Sequence, residues 1–338
     1  MKKIIVLIMF CAFLCGCAVP YRLQMSKPAP LTGKDEKNAA GMSQILGIKH
    51  ENTLVLDSTS LEFALQYPEY FADSVRMLGF KAVAVPFAAS MDADIETARG
   101  REMFEFVMFL NMKSLKTFYL LREGDYINRR KGTEFVWGKG NPYRNTLLNL
   151  KNFWRELPDS AEMPTVIIAL EMNHWNDSNV NRPAGLLFTW RKGKDKKGDS
   201  NDRMFCKSMQ FFDESRQVLD LEQVILMLDE EVVCAGEKGA LTDGTCTQLL
   251  KKADALAVNF SSAAIAEDVR QKLQFVSGIS EKGCVFAVIS PKMRSVDSFS
   301  KWLGVLRDWN SGAFKYEACA GIWVQDWMKL NKIWRLEK

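Results

Sequence analysis

Acidic and aromatic side chains recur directly after short apolar runs in this chain. Glu171 follows the run 165–170 and leads into Met172, Asn173, His174 and Trp175. Asp229, Glu230 and Glu231 follow 224–228, while Gln325, Asp326 and Trp327 follow 322–324. Asp57 closes 53–56, Arg122 closes 117–121, Asn259 closes 255–258 and Ser290 closes 285–289. A pair of carboxylates held across a bond can serve as acid and base, as at a glycosidic linkage. Flat indole faces stack on the apolar face of a sugar ring. The set therefore points to a glycan. Glu171, Asp229 and Asp326 are the candidate catalytic carboxylates, and Asp57, Arg122, Asn173, His174, Trp175, Asn259, Gln325 and Trp327 are the candidate substrate contacts. Each type has a plainer use as well. Asp57 can cap a helix, Glu171 can pair with a nearby arginine, and 229–231 can form a solvated helix start.

Such residues act together only if a scaffold gathers them. The eight apolar runs 53–56, 82–87, 117–121, 165–170, 224–228, 255–258, 285–289 and 322–324 show no polar alternation, which predicts strands buried on both faces. Between them, helical periods cover 61–78, 95–112, 144–157, 204–219, 247–252, 264–276 and 298–309, with Gly79 and Gly278 where helix ends require them. Eight strands alternating with helices predict a closed (β/α)8 barrel over 51–338, in which the strand tips and following loops form the site. An open doubly wound parallel sheet is the alternative. No Gly-rich phosphate loop follows the first strand, which argues against its nucleotide-binding form. The stretch 186–190 is a strand, a helix or a loop, and the count behind it depends on which. On strand eight, alternation sends Trp323 and Gln325 one way and Val324 and Asp326 the other.

Composition narrows the field. Apolar residues at 47% permit a full core and 25% charged residues a soluble surface. A formal charge of +4, with no basic stripe, gives no nucleic-acid signal. With two histidines, His50 and His174, sites built from several histidines are excluded, and neither a metal nor a cofactor is expected. Oligomeric state leaves no mark on the sequence.

The first residues describe an exported protein. Lys2 and Lys3 precede an apolar run over 4–14, too short for a bilayer span, and then Cys15, Gly16 and Cys17. Leu14, Gly16 and Cys17 resemble the lipobox of bacterial lipoproteins, with Cys15 where Ala, Ser or Thr is usual. The resemblance implies a signal peptide over 1–16 and a lipid on Cys17, with the bilayer as partner. A plain cleaved signal is the alternative. Ala18 in place of Asp implies, by analogy with enteric lipoproteins, the outer membrane of a Gram-negative cell. The span 17–50, with Pro20, Pro28, Pro30, Gly33 and the polar run 34–38, is predicted to be a flexible spacer. Among the cysteines left after Cys17, Cys234 and Cys246 bracket a Gly-rich stretch and are the candidate disulfide pair, and the odd total leaves at least one thiol free.

The phrase 165–173, TVIIALEMN, followed by a Trp-bearing loop, resembles the fourth strand of retaining (β/α)8-barrel glycoside hydrolases. That resemblance implies the acid/base role for Glu171. Leu170 stands where those enzymes commonly hold Asn, and strand seven ends at Ser290-Pro291 where they hold the nucleophile. Asp229 or Asp326 would then be the second carboxylate. Three functions follow: a membrane-anchored barrel that binds and hydrolyses a glycan, a non-catalytic carbohydrate binder, or an envelope structural or assembly protein.

Overall fold

Eight parallel strands close on themselves in the order β1 to β8, with β1 paired to both β2 and β8. They are β1 Thr53–Val55, β2 Ala82–Pro86, β3 Lys116–Arg122, β4 Thr165–Leu170, β5 Val224–Asp229, β6 Ala255–Phe260, β7 Val285–Ile289 and β8 Cys319–Gln325. The computed structural model describes residues 24–46, 52–126, 142–158, 165–170, 199–229, 250–260, 284–289 and 319–336, and every structural statement below concerns these. The ring is the expected (β/α)8 barrel, and the open sheet is excluded. Val224–Asp229 pairs directly with β4, so it is the fifth strand of the ring; 186–190 lies outside the described residues.

Strand residues without polar alternation serve two cores at once. One face packs outward under the helices, with Leu54, Val83, Val85, Tyr119, Leu121, Val166, Ile168, Leu226 and Val258 among its members. The other fills the barrel interior, where Ala82, Ala84, Ala169, Ala255 and Ala257 alternate with Phe118, Phe286 and Trp323. Small residues on some strands make room for rings from others. Trp323 is fully buried and stacks on Phe286 with ring centroids 4.6 Å apart, while Phe118 lies 5.9 Å away. In the outer layer Tyr119 packs against Phe87, Phe153 and Trp154, and burial pushes its phenol well above the ordinary range.

Helices form the outer layer: α1 Gly33–Leu46, α2 Ser58–Gln66, α3 Pro68–Met77, α4 Ala98–Met112, α5 Pro142–Arg155, α6 Asp199–Leu219 and α7 Trp327–Leu336. The helix expected over 61–78 is two helices. Pro68 cannot donate to the preceding turn and restricts the residue before it, so Tyr67 leaves the helical region at φ −134°, ψ 60° and the second helix starts at the proline.

Residues 24–46, expected to be a spacer, lie against the barrel instead. Met25 N donates to Gln66 Oε1 at 3.0 Å, and the Tyr67 hydroxyl donates to Met25 O at 2.7 Å. Thr32 N and Oγ1 both donate to Asp35 Oδ2, closing the start of α1. Arg335 of α7 then clasps this arm: it donates to Ala29 O, Pro30 O and the Tyr70 hydroxyl and lies 3.5 Å from Asp35. Burial raises the phenol of Tyr70, with the Arg335 guanidinium working against it, and the neutral hydroxyl donates to Asn331 Oδ1. Ala39 and Met42 of α1 are fully buried.

At the far end of α1, Gly79 sits at φ +91°, and a Cβ there would meet the Ser43 Cα at 2.9 Å. Gly79→Ala is therefore expected to cost about 2 kcal/mol of backbone strain and to loosen α1. Limited proteolysis should cut the variant within 24–46 under conditions that leave the parent chain intact there; equal resistance would contradict the packing.

Candidate functional site at the barrel mouth

Alternation fixes which side chains reach the mouth. Phe118 and Leu120 point inward on β3, so Arg122 does too; Ile225 and Met227 do the same for Asp229, Ala255 and Ala257 for Asn259, and Trp323 for Gln325. All four polar residues are half-buried. They form an inward polar layer at the carboxyl-terminal tips, directly above an apolar interior. Val324 packs in the outer core, as the alternation on β8 requires.

Two links shape this layer. Asp229 and Asn259 are register partners on β5 and β6, and Asn259 Nδ2 donates to Asp229 Oδ1 at 2.9 Å. Arg122 Nη2 donates to Leu56 O at 3.0 Å, so the guanidinium of β3 reaches the tip of β1 across β2. The result is a rim carrying a cation, a carboxylate–amide pair and a primary amide. Such a set can donate to and accept from hydroxyl groups.

Other predicted site residues are used differently. Asp57 turns out of the strand and caps α2, its carboxylate accepting from Ser60 N at 2.7 Å. Asp326 sits at φ +64°, and its carboxylate accepts from Lys329 N at 3.2 Å at the start of α7. Trp327 is corrected outright as a substrate contact. It is fully buried in the outer core with its ring centroid 5.3 Å from that of Phe71, edge to face, and offers no stacking surface. The left-handed turn at Asp326 ends the strand alternation and delivers the next residue to the first turn of a helix. Glu171, Asn173, His174 and Trp175 lie outside the described residues, as do Cys17, Cys234 and Cys246. Cys284 is half-buried just before β7 and packs against the barrel interior. Among the described residues no cluster of His, Cys, Asp or Glu could hold a metal ion, and no helix is long and apolar enough to cross a membrane.

Two buried charges near the rim were not among the sequence candidates. Glu123 follows Arg122 and is fully buried, and Ser208 of α6 donates to its Oε1 at 2.6 Å. This bond ties the tip of β3 to the helix that leads into β5 and Asp229. The signal is a second charge directly after a strand tip, where a solvated residue is the default. On the loop after β2, Asp92 accepts from Ala88 N, Ala89 N and Arg99 Nε, and Arg99 also pairs with Glu62 and Glu102. Burial works against the charge on Arg99, but Glu62 and Asp92 more than offset it. With Asn149 Nδ2 donating to Ser90 O at 3.0 Å, that rim loop is pinned to α2, α4 and α5.

No protein-family model matches the chain, and no curated protein matches its sequence. Among solved structures, a GH18 chitinase from Pseudoalteromonas aurantia is 12% identical with TM-score 0.49, covering 84% of this chain and 97% of that one. A psychrophilic family 10 endo-β-1,4-xylanase is 9% identical with TM-score 0.46, covering 85% and 88%. Cellobiohydrolase II from Humicola insolens is 9% identical with TM-score 0.40, covering 71% and 72%. These likenesses are loose, and the barrel assignment stands on the strand pairing alone.

Proposed function

We propose that this protein is a lipid-anchored barrel that binds a glycan at its mouth and hydrolyses it. Cys17 carries the anchor, in the outer membrane of a Gram-negative cell. One observation carries the glycan reading: Arg122, Asp229, Asn259 and Gln325 converge as an inward polar layer at the carboxyl-terminal end of a closed parallel barrel. In this fold, ligands enter at that end. Glu171, one residue beyond β4, serves as acid/base, and Asp229 as the second carboxylate. Asp229 is favoured over Asp326 because its strand aims it inward, whereas Asp326 caps a helix on the other parity.

The test combines a glycan array with a reducing-end release assay on the soluble domain. Glu171→Gln and Asp229→Asn are each expected to cut release by a factor of about 100 or more while leaving array binding largely intact. Undiminished release in Glu171→Gln would remove that residue from the mechanism. Binding without release in the parent chain would favour the non-catalytic carbohydrate binder. That second reading has its own support in the engagement of Asp229 with Asn259 and of Asp326 with α7. No binding and no release would leave the envelope structural or assembly role.

A further inference from the structure

We propose that the flank carrying α1 and α7 is the face this protein lays against a lipid bilayer, with the wall bearing Asp229 and Asn259 turned away from it. The inference rests on the acylation of Cys17 put forward above and goes beyond it, because acylation alone fixes no orientation.

The argument starts from where the chain first becomes part of the body. Met25 is already held through both its N–H and its carbonyl, by Gln66 and Tyr67. Arg335 takes Ala29 O and Pro30 O a few residues later. The tether thus runs from residue 17 to residue 25 rather than to residue 50. At full extension a chain covers roughly 3.3–3.6 Å per residue, so the stretch from 17 to 25 can span at most about 28 Å, against about 115 Å for a spacer running to residue 50. An acylated cysteine on so short a lead keeps the docking flank near the headgroups and prevents the barrel from turning over.

The ring order says which flank that is. The arm lies against α2, α3 and α7, the helices that follow β1 and β8. In a closed ring of eight, β5 stands opposite β1. Asp229 and Asn259 on β5 and β6 therefore lie on the far wall. The exposed surface of the arm suits a phospholipid surface: Lys27, Lys34 and Lys37 are exposed along it, with Glu36 among them, and this net basic character favours anionic headgroups.

The test uses the full-length acylated protein, purified from membranes and reconstituted into vesicles of phosphatidylcholine and phosphatidylglycerol that carry a headgroup quencher. A fluorophore is installed through an encoded non-natural amino acid at Lys27, or at the exposed Gln217 of α6, which leads into β5. Quenching severalfold stronger at 27 than at 217 is expected, and a long Gly/Ser segment inserted between residues 20 and 21 should bring the two together. Equal quenching in the parent protein, or stronger quenching at 217, would overturn the orientation while leaving the anchor in place. Mass spectrometry of the same sample separates the two ideas: a Cys17 without acyl chains would sink the anchor and the orientation together.

Discussion

Trp323→Ala is expected to lower the free energy of unfolding by about 3–5 kcal/mol, the range for truncating a fully buried tryptophan. The indole fills the barrel interior between Phe286 and Phe118. The interior cluster also contains Ala82, Ala84 and Ala257, whose methyl groups have nothing to move into a vacated space. A closed ring also resists collapse, because each strand is held on both sides. The void would therefore persist, and its walls would lose their dispersion contacts. Urea unfolding measures this directly: the midpoint should fall with the slope unchanged. Trp323→Phe should recover most of the loss, since the indole N–H has no hydrogen-bond partner among the described residues. A loss below about 1 kcal/mol for the alanine variant would mean that the interior is not packed around this ring.

Gly100→Ala is expected to be nearly as severe, at about 3 kcal/mol, by overpacking rather than by a void. A Cβ at position 100 would stand 1.8 Å from Asp94 O and 2.2 Å from Asp94 C. Both are backbone atoms, so no side chain can swing aside. The same carbonyl accepts from Thr97 N and Thr97 Oγ1, while Thr97 Oγ1 caps α4 by accepting from Gly100 N. Relieving the clash means breaking the cap and displacing the Asp92–Arg99 loop at the mouth. Thermal unfolding of Gly100→Ala beside the parent checks the cost, and an unchanged midpoint would contradict the close approach.

Strand positions were legible because the physics behind them is local. Every run without polar alternation became a strand of the ring, since burial on both faces excludes polar residues from either side. The parity of β8 followed from the same rule: Trp323 went inward and Val324 outward. Trp327 was misread because parity ends where the strand does. A single left-handed residue, Asp326, resets the direction, and nothing in the residue types announces it. The arm was misread for another reason. Its docking rests on hydrogen bonds to Arg335, Gln66 and Tyr67 and on a few scattered apolar residues, Met25, Leu31, Ala39 and Met42, whose spacing makes no sustained hydrophobic period. The available sign was Thr32 followed three residues later by Asp35, the pattern of a helix start. At the site, the inward set Arg122, Asp229, Asn259 and Gln325 came from strand tips read in sequence. The Glu123–Ser208 bond joins residues 85 apart, and only the folded chain brings them together.

β1 is three residues long, the shortest strand of the ring, yet it alone joins β8 to β2. Closure of the whole cylinder thus passes through its thinnest link. The arm and the last helix pack on the helices that follow β1, so the amino- and carboxyl-terminal ends of the described chain act as a hoop drawn beside the weakest stave. Breathing of this barrel should begin there. Slack in the hoop would be felt at the tip of β1, where Leu56 receives Arg122.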